Sequence, residues 1–261
     1  MADAPDLNGK THLDGKIVVV TGASRGIGKG VVAGLARLGA SVVCAARSED
    51  ALQKIVGDIE GEGGTAIAVR CDIGDEGDIE NLVAATVDRF GGLDALINNA
   101  MTPTRVPFAA SGVDQWDESM RVNVRSLYLF ARAVVPIMAA RGGGSIVNVS
   151  SHAADHATSP YMPEGYLIYC VAKAALERFS TALAPEVRPQ GIAVNALRPG
   201  AVRTEGTEEE FGPDFDWKGW QTPDELVAPM ATLAGLKDSD LTGRVLDVGG
   251  FGTTWPEAAA I

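Results

Sequence analysis

The stretch that most restricts the fold runs from residue 16 to about residue 38. Lys16-Ile-Val-Val-Val-Thr21 is a short unbroken β-branched run, the pattern of a parallel strand buried on both faces. It passes directly into Thr21-Gly-Ala-Ser-Arg-Gly-Ile-Gly28 and then into an amphipathic helical pattern that reaches about Leu38. Backbone without Cβ atoms can approach a pyrophosphate closely, and the free N–H groups at the helix start then face the anion. A tight turn alone would need the same glycines, so it is the order strand, turn, helix that points to a dinucleotide. Three residues separate Gly22 from Gly26 and one separates Gly26 from Gly28, a spacing different from GxGxxG.

The alternation continues along the chain. Strand patterns at 41–46, 65–70, 94–97, 145–149, 191–196 and 244–248 are interleaved with helical patterns ending near Glu60, at 75–90, 113–140, 169–179 and 223–236. Such alternation implies a parallel sheet covered by helices on both faces, a doubly wound α/β fold whose ligands bind at the C-terminal strand ends. The second strand ends in Ala46-Arg47-Ser48. An acid at that tip would accept hydrogen bonds from the adenosine ribose, whereas a cation accommodates a 2′-phosphate. No acid is present, and Arg47 together with Arg25 in the glycine turn could converge on one dianion, which favours NADP(H) over NAD(H). The less favoured alternative is that both arginines are solvated surface groups. Asp72, just past the third strand, either meets the adenine amino group or caps a turn. Asn98-Asn99-Ala100, closing the fourth strand, either serve the cofactor or brace the loops.

At 261 residues and 46% hydrophobic, the chain fits one domain from residue 16 to 261 behind a polar extension at 1–15. The net charge of −12 argues against general affinity for nucleic acid or anionic membrane. Residues 1–15 lack the pattern of a signal peptide and no apolar run reaches spanning length, so a soluble cytoplasmic protein is expected. Cys44, Cys71 and Cys170 read as reduced thiols without metal spacing. His152 and His156 stand at i,i+4, but the surrounding loop composition argues against a metal site. Residues 205–221 are acidic, aromatic and glycine-containing, the composition of a mobile lid over a substrate.

Two further stretches carry chemistry. Ser150-Ser151 stands at the carboxyl end of the fifth strand, outside any GxSxG setting. Tyr169 and Lys173 lie four residues apart in a helical pattern, so they project side by side. An ammonium beside a phenol favours the phenolate and moves it toward a working range for proton transfer, although an isolated pair of this spacing is commonly a surface pair. Asn123 sits amid apolar and basic helix residues, ordinarily a surface or hydrogen-bonded core position.

Together these residues resemble the short-chain dehydrogenase/reductase superfamily over nearly the whole span from Gly15 to Gly250. The resemblance rests on Thr21-Gly-x-x-x-Gly-x-Gly28, Asp72, Asn98-Asn-Ala100, Asn123, Ser151, Tyr169-x-x-x-Lys173, Pro199-Gly200 with Thr204, and Thr242-Gly243 before Gly249-Gly250. It implies a Rossmann fold with a seven-stranded, mostly parallel sheet. It implies that Tyr169 is the general acid/base and that Lys173 holds the nicotinamide ribose and lowers the Tyr pKa. Ser151 then bonds the substrate oxygen, and Asn123 holds a water that relays protons to Lys173. By the same resemblance the cofactor is lined by Gly22, Ser24, Arg25, Gly26, Ile27 and Gly28 of the turn and by Arg47, Asp72 and Ile73. Asn99 and Ala100 join them from the fourth strand, and Pro199, Gly200, Val202 and Thr204 from the sixth.

The expected reaction is hydride transfer between NADP(H) and a small carbonyl or secondary alcohol. A 3-oxoacyl-thioester reductase and a nucleotide-binding member without turnover are the alternatives. Tetramers in the family form through helices matching residues 123–140 and 169–187. Leu127, Phe130, Val134 and Ile137 on the first, with Leu176, Phe179 and Leu183 on the second, are more apolar side chains than packing on a sheet requires. A homo-oligomer, tetramer or dimer, is therefore expected. Three departures from the family pattern stand out, one being the acidic segment 205–221 together with a tail from Phe251 whose Trp255 either packs on its own subunit or reaches a neighbour. Met101 replaces the glycine that follows Asn-Asn-Ala, and the interval from Ser151 to Tyr169 is longer than is common.

Overall fold

The computed structural model describes residues 13–157, 162–237 and 241–255. The expected extension at residues 1–15 therefore lies almost wholly outside the described residues, as do parts of the 152–165 loop and of the tail.

Seven strands form one sheet in the order β3-β2-β1-β4-β5-β6-β7. They are β1 (Ile17–Thr21), β2 (Ser41–Ala46), β3 (Thr65–Arg70), β4 (Ala95–Asn98), β5 (Gly144–Val149), β6 (Ile192–Arg198) and β7 (Val245–Asp247). Every neighbouring pair is parallel, so the sheet is wholly rather than mostly parallel. The order reverses direction between β1 and β4, and the C-terminal ends of those two strands flank a crevice where ligands bind in folds of this kind. β1 shows why its sequence is apolar at every position. Val18 and Val20 face one hydrophobic cluster and Val19 the other, in keeping with the two-residue period of a strand.

Helices α1 (Gly26–Arg37), α2 (Glu49–Gly61) and α8 (Val227–Ala234) cover one face. Helices α3 (Glu76–Phe90), α5 (Ser126–Ala140) and α6 (Leu167–Val187) cover the other. α4 (Val113–Met120) runs into α5 through a π-helical segment, Arg121–Arg125, and α7 (Glu205–Phe211) follows β6. Asp75 caps α3, its carboxylate accepting from Asp78 N at 2.9 Å, and Gly91 ends the helix at φ +80°.

Three expectations change here. The helical run Val113–Ala140 does carry a window of mean hydropathy 1.3, long enough to span a membrane, contrary to the reading that no run reaches that length. Its apolar side chains Leu127, Phe130, Val134 and Met138 lie against the protein's own core, which accounts for the hydropathy. The same burial removes the apolar excess expected to drive assembly. Leu127, Phe130, Val134 and Leu176 are at most 4% exposed, and Ile137, Phe179 and Leu183 pack onto the core clusters. The large apolar side chains left outside on these helices are Tyr128, Leu167 and Val171. Trp255, expected to pack on its own subunit or a neighbour, is buried in its own chain and donates from Nε1 to Asp247 O at 2.8 Å.

Residues 205–221 form an excursion tied shut at its base. Gln221 N donates to Ala201 O at 2.9 Å, Arg203 N donates to Gln221 O at 2.8 Å, and Gln221 Nε2 donates to Pro199 O at 2.7 Å. Thr204 caps α7, yet that helix buries none of its residues. Beyond it Phe211, Phe215, Trp217 and Trp220 stack on one another, with ring centroids between 4.5 and 6.2 Å apart. They form a small apolar nucleus separate from the sheet.

Candidate active site

The glycine turn fits a dinucleotide for a steric reason. A Cβ on Gly28 would stand 2.2 Å from Gly22 O, and one on Gly22, where φ is +69°, would stand 2.8 Å from Asn99 Nδ2 and 2.9 Å from Ala100 Cα. The turn is thus clamped between α1 and the end of β4, leaving its backbone outward. Asn99 builds that clamp: its Nδ2 donates to Thr21 O at 2.9 Å, while Thr21 Oγ1 accepts from Asn99 N and Ala100 N, both at 3.0 Å. Asn98 is buried and donates to Asn148 Oδ1 at 2.8 Å, and Asn148 donates onward to Ser180 at 2.9 Å. Both amides thus brace the loops around the turn.

α1 has no side-chain cap and no acid in its first turn. Its Gly26 N instead donates to Glu205 Oε2, 2.8 Å away and borrowed from α7. A carboxylate therefore rests where the helix start attracts an anion. Ser24 and Ile27 of the turn are half-buried, and Arg25 and Arg47 are exposed. Arg25 stands 3.9 Å from Glu209. Asp72 accepts from Gly74 N at 2.9 Å through Oδ1, the turn-forming role, and remains half-buried. Ile73 packs its side chain into the core at 8% exposure. Val202 is buried, Pro199 and Gly200 precede it, and Thr204 contacts the turn, its Cβ 3.6 Å from where a Gly26 Cβ would be. A cavity of about 600 Å³ opens along α1 between Lys29, Arg37, Arg203 and Asp224. It shares Gly26, Thr204 and Glu205 with the turn and reaches none of the four candidate catalytic residues.

Tyr169 and Lys173 lie on the buried face of α6, at 9% and 3% exposure. Lys173 Nζ donates to Val149 O at 2.7 Å, and it stands 5.8 Å from the centroid of the Tyr169 ring. The lysine is thereby held across the ring, between α6 and the end of β5. Ser151 opens the short 3₁₀ turn His152–Ala154, accepts from Ala153 N at 3.2 Å, and lies near enough to the Tyr169 phenol to lower its pKa. Its neighbour Ser150 is occupied elsewhere. Ser150 Oγ donates to Glu177 Oε1 at 2.7 Å, and Glu177 holds Arg198 by a two-pronged pair at 2.7 and 2.8 Å.

The electrostatics differ from the expectation that Lys173 lowers the Tyr169 pKa. Burial pushes the phenol above its usual value, and the Ser151 hydrogen bond and the Arg105 charge pull the other way. Burial outweighs both of these opposing influences. Burial also draws Lys173 down from 10.5 to about 8, with Glu177, four residues further along α6, opposing the fall.

Asn123 is buried in the π-helical segment, a local widening frequently found at functional sites. Its Oδ1 accepts from Thr102 N at 2.9 Å, and its Nδ2 donates to Thr102 O at 3.0 Å and Ser119 Oγ at 3.1 Å. The side chain thus fixes the loop after β4. Met101, next to Thr102, is half-buried. Arg105 on that loop pairs with Glu210 of α7 and lies 4.8 Å from the centroid of Tyr166, whose ring meets Tyr169 edge-on at 6.0 Å. Glu177 had a signal in the sequence, the i+4 step beyond Lys173. Arg105 and Glu210 had none, since they meet only through the fold. Among the described residues no group of three or more His, Cys, Asp or Glu is arranged to hold a metal, and His152 Nε2 lies 2.6 Å from Asp247 Oδ1.

A clamped glycine turn at the point where the sheet reverses, facing a helix that carries tyrosine and lysine, defines a dinucleotide-binding oxidoreductase. The family model described as short chain dehydrogenase matches residues 16–213, and the chain belongs to that family. It is 36% identical over 254 residues to dehydrogenase/reductase SDR family member 4 of Bos taurus, covering 92% of this chain and 88% of the relative. A solved 7α-hydroxysteroid dehydrogenase, complexed with NADH and 7-oxo glycochenodeoxycholic acid, superposes with a TM-score of 0.82 at 29% identity, covering 91% of this chain and 94% of that one. A short chain dehydrogenase from Burkholderia cenocepacia in complex with NADP superposes with a TM-score of 0.80 at 30% identity, covering 91% and 97%. The protein is accordingly an oxidoreductase of alcohol and carbonyl substrates that uses a nicotinamide cofactor.

Proposed function

We propose that this protein is an NADP(H)-dependent reductase of small carbonyl compounds, or the reverse dehydrogenase, with Tyr169 as general acid/base. The observation that carries the reading is the buried pair Tyr169 and Lys173 with half-buried Ser151 beside them, its hydroxyl acting on the phenol and the lysine fixed to Val149. When bound, the nicotinamide supplies or accepts the hydride. The chain's own residues do the rest. Tyr169 exchanges the proton on the substrate oxygen, and its raised pKa keeps it a phenol, ready to donate, at neutral pH. Ser151 orients and polarises that oxygen. Lys173, with a pKa of about 8, is positioned to hold ribose hydroxyls and to pass a proton to and from the site. Asn123 holds the loop on which Met101 and Arg105 stand.

Arg47 beyond β2 and Arg25 in the turn support the 2′-phosphate, and no acid stands at that strand tip. Residues 205–221 act as a lid, closed at the base by Gln221 and buried nowhere along α7. Exposed Tyr128, Leu167 and Val171 support a homo-oligomer joined through α5 and α6, which light scattering measures. Unpaired Cys44, Cys71 and Cys170 support a cytoplasmic location.

The test replaces Tyr169 with Phe. Turnover of ketones with NADPH should fall by about 10²- to 10⁴-fold, with NADPH affinity retained. Unchanged turnover would refute the role.

A further inference from the structure

Arg105 is a cation in a chain whose net charge is −12, and it is turned toward the candidate active site. Its loop is fixed at both sides. Asn123 holds Thr102 by two hydrogen bonds, and Val106 N donates to Gly165 O at 3.0 Å, tying the loop to the approach to α6. The guanidinium lies over the ring of Tyr166, one aromatic ring from Tyr169. Its charge reaches the reacting phenol, lowering the Tyr169 pKa against the effect of burial. At 34% exposure the side chain is open enough to be reached and sheltered enough for its pairing to matter.

The partner of Arg105 is built differently. Glu210 comes from α7, which buries none of its residues, and it shares Tyr166 as a second contact, the phenol donating to Glu210 Oε1 at 3.5 Å. A fixed guanidinium thus faces a carboxylate on an element with little packing to hold it. Resting on the reading of Tyr169 as the carbonyl-reducing centre, we infer that Arg105 anchors a carboxylate of the substrate, and that the Glu210 carboxylate occupies its position until the substrate arrives. The substrate class is then the oxo acids and hydroxy acids, with the reacting carbon held at Ser151 and Tyr169 and the acid group at Arg105. Exchange of partners moves α7 outward while the Arg105 loop stays where Asn123 holds it.

The experiment compares a graded series of straight-chain oxo acids with their methyl esters, using NADPH and the full chain. The wild type should show a higher kcat/KM for acids than for matched esters by about 10- to 100-fold, the range of one charge-assisted hydrogen-bonded pair. Arg105→Leu should erase that preference by lowering the acids about 10- to 100-fold more than the esters, and Arg105→Lys should restore part of it. Glu210→Gln should lower KM for the acids only. A readout without turnover runs alongside: the acids should raise the melting temperature of the NADPH-loaded wild type and of Glu210→Gln, and not of Arg105→Leu. Turnover of esters equal to that of acids, an equal loss of both in Arg105→Leu, or no acid-induced shift in the wild type would each overturn the assignment. Where one of those results is seen, ester turnover that is abolished by Tyr169→Phe would leave the reductase reading intact while this one falls.

Discussion

Lys173 links the candidate chemistry to stability, and Lys173→Met exposes the link. The ammonium is 3% exposed and has the Val149 carbonyl as its near partner, so burial holds its pKa at about 8 in place of 10.5. Below pH 8 both folded and unfolded chains carry the proton, and the folded one bears the full cost of the buried charge. Between 8 and 10.5 only the unfolded chain binds it, so stability rises with pH there. Above 10.5 the cost is gone. At about 1.4 kcal/mol per pH unit, the cost is about 3 kcal/mol, equivalent to roughly 6–12 °C in midpoint for a chain of this size. Thermal unfolding of wild type and Lys173→Met, recorded without cofactor from neutral pH to about 10.5, isolates this group because the remaining titrations are shared. The wild type should gain on the variant steadily through that window, and the variant should lack turnover throughout. Two midpoint curves that stay parallel would show that the lysine is not held below its ordinary pKa and would refute the reasoning.

Glu177→Gln removes the partner of Arg198 and Ser150, and breaking a mostly buried pair costs about 3–5 kcal/mol. Chemical denaturation should show that loss, and the pH profile of turnover should shift downward as Lys173 loses its supporting charge. Glu205→Gln takes a negative charge from the start of α1, where it accepts from Gly26 N. NADPH should then bind about 2- to 5-fold more tightly in a fluorescence titration, since a charge at a helix terminus is worth about 0.3–1 kcal/mol. Arg47→Asp should weaken NADPH strongly and NADH little, measured by KM for each; equal losses would remove the 2′-phosphate assignment.

The sheet was legible because its strands are dominated by apolar residues and because glycine and the helical period mark each crossing. Ser41–Ala46 and Thr65–Arg70 are read to the residue, and the other five strands shift by one or two at their ends. The π-helical segment at Arg121–Arg125 was not legible, since a single extra residue in a helical turn leaves the apolar pattern nearly intact. Ser151 was separable from Ser150 only by its place in the pair, and the fold supplies a physical distinction: Ser150 is consumed by Glu177. The apolar stripe of α5 read as surplus because sequence alone does not show how wide a face the sheet covers. The rise in the Tyr169 pKa was not legible because spacing places a lysine beside a tyrosine without showing how deeply the phenol is buried. Arg105 and Glu210 belong to a different class of difficulty, in which two distant loops meet and neither carries a local pattern.

The aromatic nucleus beside α7 has an optical consequence. Trp217 and Trp220 are two of the four tryptophans in the chain, 5.1 Å apart and inclined at 86°, with the Arg203 guanidinium 5.2 Å from the first. Indoles that close share their excitation, and a pair so oriented rotates near-ultraviolet light in a way that isolated indoles do not. Phe211, the last residue of α7, stacks against both. Displacement of that helix therefore writes itself into the circular dichroism and emission of the native protein, so substrate entry can be timed in stopped flow without attaching a label.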